Sequence, residues 1–67
     1  MSPMEVHAVV NRVRSEFNET PGLRLTVRQA ARLWGLEPSA CENVIDVLVR
    51  SAFLRWTPAG MVARVEM

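Results

Sequence analysis

Val6, Val9, Val10, Val13 and Phe17 recur every three or four residues, with His7, Asn11, Arg14, Ser15 and Asn18 between them. At roughly 100° per residue the apolar set forms one stripe and the polar set the opposite one, which predicts an amphipathic helix over about residues 3–18. Ser2 suits the cap of that helix, Pro3 its first position and Glu5 the far side of a capping box. Thr20-Pro21-Gly22 ends it. Leu23-Arg24-Leu25 then alternates, predicting a short edge or bridging strand over 23–25. Helical spacing returns with Val27, Ala30, Ala31 and Trp34. Thr26 and Gln29 form a second capping box and Gly35 a C-terminal stop, so a two-turn helix is expected over 27–34 with Arg28 and Arg32 pointing outward.

A third helix is expected over 38–51, with Pro38 in its first turn. Cys41, Val44, Ile45, Leu48 and Ala52 make its inward face, and Ser39, Glu42, Asn43, Asp46 and Arg50 lie opposite. The period then shortens to two. Phe53–Trp56 and Met61–Val65 flank Thr57-Pro58-Ala59-Gly60, which has the chemistry of a four-residue hairpin loop, so a hairpin is expected over 53–65.

These elements make one domain over 1–67 of α+β class, mainly α. At 67 residues folding buries only about 60% of the surface of the unfolded chain, so the core is small and a partner would help to stabilise it. The single cysteine, Cys41, excludes an internal disulfide, and no Cys/His set has zinc-ligand spacing. A reducing cytoplasm is the compartment expected. No leader pattern is visible, and no apolar run approaches the roughly 20 residues needed to span a bilayer. The formal charge of +1, from eight arginines and seven acids, is a weak pull on polyanions compared with dedicated nucleic-acid modules. One histidine, one cysteine, no glycine-rich phosphate loop and no paired acids argue against catalysis, so no cofactor, metal or small-molecule substrate is expected.

Three features in the middle of the chain act together. Ala31 and Gly35 let two helices approach closely and then turn the chain, Leu36 fills the corner, and Cys41 and Val44 lock the third helix across the second. In LRLTVRQAARLWGL, CENVIDVLV and SAFLRWTPAGMVAR the chain resembles the winged helix-turn-helix modules of bacterial transcription regulators. It also resembles short stand-alone bacterial proteins of that type. The resemblance implies three helices, a short strand before the second and a C-terminal hairpin as the wing. In such modules the third helix commonly enters the major groove, the second braces phosphates and the wing touches the backbone or minor groove. Carried over, Ser39, Glu42, Asn43 and Asp46 stand where bases are read, Arg28 and Arg32 where phosphates are held. Arg50 lies at the far end of the third helix, and Arg55 and Arg64 on the wing.

The third helix departs from this pattern in charge. Glu37, Glu42 and Asp46 oppose the phosphate attraction that supplies most non-specific affinity, although Asn43 suits adenine and a glutamate suits cytosine N4. The plainer alternative leaves Glu42 and Asp46 solvated and Glu37 favoured by the helix dipole. Arg12 with Glu16 and Asp46 with Arg50 have the spacing of surface ion pairs.

Trp56 and Met61 fall together near the hairpin tip. They are interface candidates for a protein partner or a second copy. Alternatively Trp56 folds back over the end of the first helix, or contacts a base. Cys41 is expected as a buried thiol, His7 as solvated and Trp34 as core. The function implied is a small DNA-binding or transcription-associated module that meets double-stranded DNA through backbone contacts, and a homodimer is expected because the core is small and apolar side chains appear at the hairpin. The alternative is a winged helix used for protein contact or homodimerisation.

Overall fold

In the computed structural model, which describes the backbone of residues 3–65 and the side chains of residues 6–65, the element order is α1 (Pro3–Glu19), β1 (Arg24–Leu25), α2 (Val27–Trp34), α3 (Pro38–Arg50), β2 (Leu54–Trp56) and β3 (Val62–Arg64). The cap expected from Ser2 and Glu5 lies outside the described residues and side chains. The capping box of α2 forms as its sequence requires: the Gln29 backbone N–H donates to Thr26 Oγ1 at 3.1 Å, and the Thr26 N–H to Gln29 Oε1 at 3.0 Å. Gly35 closes the helix in the left-handed region at φ 66°, and the Leu36 N–H donates back to the Ala31 carbonyl at 2.9 Å.

The end of α3 differs from the sequence reading. The helix stops at Arg50, and Ala52, expected on its inward face, is exposed and lies outside it at φ +62°. The Ala52 N–H donates to the Val49 carbonyl and the Phe53 N–H to the Leu48 carbonyl, both at 3.0 Å. That pair of bonds is the Schellman arrangement, whose left-handed position is usually glycine because a Cβ is disfavoured there. A strong helix former at helical spacing concealed this stop.

The three strands form one antiparallel sheet in the order β1-β3-β2. Separate pieces in the sequence reading, the short strand and the hairpin are joined: the last strand lies in the centre and the first is an edge strand, reduced to two residues. Leu54, Arg55 and Trp56 pair with Arg64, Ala63 and Val62, while Arg24 and Leu25 pair with Ala63 and Val62. Thr57 to Met61 join β2 to β3. Thr57 donates to the Met61 carbonyl at 2.8 Å, and Gly60, at φ +77°, donates to the Thr57 carbonyl at 3.0 Å. The turn at Thr57–Gly60 therefore has proline at its second position and glycine in the left-handed one.

One face of each element closes the core. Val13 and Phe17 of α1, Val44, Ile45 and Leu48 of α3, and Leu54 and Val62 of the sheet are fully buried, with Ala30, Trp34 and Cys41 beside them. Each large aliphatic or aromatic side chain so buried contributes about 1.5–3 kcal/mol relative to exposure. The two alanines of α2 allow the close approach of α3. A polar clasp ties α1 to α2: the Trp34 indole N–H donates to Glu16 Oε2 at 2.8 Å, and Arg12 approaches the same carboxylate at 3.5 Å. The sequence suggested only the Arg12–Glu16 pair.

Candidate functional site

On α3, Ser39, Glu42, Asn43, Asp46 and Arg50 are all exposed, as the 3.6-residue period places them. Glu37 caps the helix through its backbone, makes no side-chain cap bond and puts a carboxylate at the positive end of the helix dipole. Arg50 Nε lies 3.0 Å from Asp46 Oδ2. This exposed pair contributes little to stability, but it commits the one arginine of α3 to the helix's own acid. The outward face of α3 is therefore left with Glu42 and Glu37 as uncompensated charges among its described residues.

Arg28 and Arg32, one turn apart on α2, lie in a second setting. They flank a cleft of about 460 Å³ whose apolar floor is Val27, Ala31, Leu36 and Pro38. This is the corner where α2 turns into α3, and Ser39 follows Pro38 directly. Arg28 and Arg32 thus share the border of the corner cleft.

The third setting was only half legible. Arg55 of β2 and Arg24 of β1 both pair with Ala63 of β3, so all three side chains leave the same face of the sheet. That face is the outer one, because the next row, Leu25 and Val62, points to the core. Arg64 borders the same depression, but it pairs with buried Leu54, so its side chain leaves the opposite face of the sheet. Its guanidinium lies 5.6 Å from the centroid of the Phe53 ring, and Arg14 of α1 lies 5.1 Å from that ring, within cation–π range. Sequence reasoning named Arg55 and Arg64 and missed Arg24. The alternation in Leu23-Arg24-Leu25 put Arg24 outward, but its neighbours depend on pairing with a strand nearly forty residues away.

Trp56, although paired with inward Val62, projects past the end of the core and is 47% exposed. Met61, across the loop closure, is half-buried. Leu33 and Val47 are also exposed, but on separate helices.

Cys41 is buried, with its Sγ 3.8 Å from the Val27 carbonyl. Burial pushes the thiol pKa up, and the neighbouring Glu42 carboxylate pushes the same way, so the thiol stays protonated and unreactive near neutral pH. His7 is exposed. Among the described residues no group of three or more His, Cys, Asp or Glu converges, and no helix is long and apolar enough to cross a membrane. Comparison with known protein families, curated proteins and solved structures found no match to the chain.

Proposed function

We propose that the chain is a winged helix-turn-helix module that binds double-stranded DNA through phosphate contacts made by arginines outside α3. The order of elements, the close α2–α3 corner at Ala31 and Gly35, and the hairpin after α3 support the winged-helix reading. The observation that carries the DNA reading is the segregation of charge. Among the described residues only Arg12 and Arg50 of the eight arginines sit in ion pairs. Arg28 and Arg32 border the corner cleft, Arg24 and Arg55 flank Ala63 on the outer face of the sheet, and Arg64 lies against Phe53 beside Arg14. Phosphate contacts of this kind position a protein on a duplex without reading bases. With acids on α3, Ser39 and Asn43 are the only uncharged polar side chains available for readout there.

Fluorescence anisotropy with a random duplex tests this reading. Binding with a dissociation constant on the order of micromolar at low salt, weakening steeply as salt rises, is expected. No binding at low salt refutes it.

A second reading rests on Trp56. A tryptophan left 47% exposed near the hairpin tip suits the anchor of a protein contact, and a second copy of the chain is the simplest partner. Light scattering on the wild type and Trp56→Ala decides it: a dimer mass that falls on substitution supports the contact, and an unaltered mass excludes the hairpin as the interface.

A further inference from the structure

An aromatic side chain near the hairpin tip and an apolar cleft on α2 are both left open by the fold, and their chemistries match. Trp56 is the one exposed aromatic side chain among the described residues. The loop that follows it, Thr57-Pro58-Ala59-Gly60, carries no charge, and the neighbouring Arg55 leaves the opposite face of the sheet. Covering this tip therefore strips water from no ionised group. The cleft of about 460 Å³ has an aliphatic floor, Arg28 and Arg32 on its border, and no carboxylate in its lining. Its volume lies in the range of pockets that take a small organic molecule, about 300–1,000 Å³, and admits an indole. Trp56 does not line the cleft of its own chain.

We propose that the chain forms a reciprocal dimer in which Trp56 of each copy enters the α2 cleft of the other. This contact rests on the protein-contact reading of Trp56 and supplies the surface that receives it. The match is electrostatic as well as steric. The indole face is the negative side of an aromatic quadrupole, and of the aromatic rings tryptophan attracts a cation most strongly. Arg28 and Arg32, one turn apart, stand where planar guanidinium groups can stack on a ring that enters between them. Area decides between one contact and two. A fully covered tryptophan buries about 150–250 Å², whereas a specific interface buries about 1,200 Å² or more in total. A single insertion is too small to hold two copies. Reciprocal insertion doubles the buried area and closes the pair about a two-fold axis, because each chain carries both the tip and the cleft. Closure also prevents head-to-tail growth. The association is weak, with a dissociation constant on the order of tens of micromolar.

The test is sedimentation equilibrium of the full chain, two variants and their mixture, with tryptophan emission recorded on the same samples. Salt of about 0.3 M screens general attraction between chains of different charge. The wild type should dimerise reversibly as concentration rises, and the emission of Trp56 should move to shorter wavelength while that of the buried Trp34 stays constant. Trp56→Ala removes the tip, and Arg28→Glu/Arg32→Glu spoils the cleft. All three positions are exposed, and circular dichroism checks the fold. Each variant alone loses both contacts and should dimerise about 100-fold more weakly than the wild type. Mixing the two variants should bring association back to within about tenfold of the wild type, with the blue shift, because the charge-reversed chain still offers its Trp56 to an intact cleft. A mixture no more associated than either variant alone overturns the insertion. A charge-reversed variant that dimerises like the wild type also overturns it. Loss of the dimer in Trp56→Ala then leaves the protein-contact reading standing with a different receiving surface. A wild type that is monomeric at millimolar concentration overturns both the insertion and contact with a second copy.

Discussion

The outward face of α3 and the outer face of the sheet start from the same core and end with opposite chemistry. Val44, Ile45 and Leu48 anchor one, and Leu54 and Val62 the other, so the two exposed faces diverge from common packing. On the helix, neighbours in space are neighbours in sequence, and a charge is readily cancelled one turn away, as Asp46 cancels Arg50. On the sheet, Arg24 and Arg55 come from different strands to flank Ala63, and neither has an acid at a position that pairing would place beside it. The outward face of α3 thus carries the weaker chemistry for a polyanion, and the outer face of the sheet the stronger.

Reversing the sheet charges should break this contrast most severely. Arg24→Glu/Arg55→Glu should weaken duplex binding at low salt by about 100-fold or more while circular dichroism is unchanged, since phosphate attraction is replaced by repulsion. Binding within a few-fold of wild type would mean that the sheet does not face the duplex. Next in size, Arg28→Ala/Arg32→Ala should cost about tenfold in affinity and reduce the slope of log affinity against log salt by about two, one unit for each phosphate no longer neutralised. An unchanged slope in a salt titration would remove the α2 corner from the binding surface. Smaller still, Glu42→Gln/Asp46→Asn should change duplex affinity by less than about threefold, because α3 faces elsewhere and the Asp46–Arg50 pair it breaks is a weak exposed one. A tenfold gain in the same assay would place α3 against the phosphates after all. Finally, Ala52→Gly should leave binding unaltered and raise stability by about 0.5–1 kcal/mol in urea unfolding, the left-handed strain of the side chain being partly offset by glycine's backbone entropy. A loss of stability would mean that the Ala52 methyl makes an interaction outweighing its strain.

Much of the scaffold was legible because it is local. The bounds of α2, its capping box and the Gly35 stop follow from ten consecutive residues, and the burial of Val13, Phe17, Trp34 and Cys41 follows from helical period alone. What escaped was non-local or conformational. Leucines flanking Arg24 reveal a strand but not its partner, so the row through Ala63 needs the register of β1 against β3. The Trp34–Glu16 bond joins side chains on two helices, and only the crossing of those helices brings them within 2.8 Å. Ala52 misled for a different reason: its side chain suits a helix, and the carbonyl bonding that ended the helix was made by the residues after it. The candidate arginines were readable as exposed charges. The meeting of Arg24 and Arg55 across Ala63 was not, because it is a property of strand pairing rather than of spacing.

The Schellman turn at Ala52 has a consequence beyond ending α3. The Phe53 N–H that completes the turn also fixes where the Phe53 ring stands, and both Arg14 and Arg64 rest over that ring. Two cationic groups from opposite ends of the chain are therefore held in place by a neutral residue, and that residue by a backbone turn. Substitutions at Ser51, Ala52 or Phe53 that change no formal charge still move charge across the surface. The electrostatic character of this domain can drift, or be tuned, through its uncharged residues.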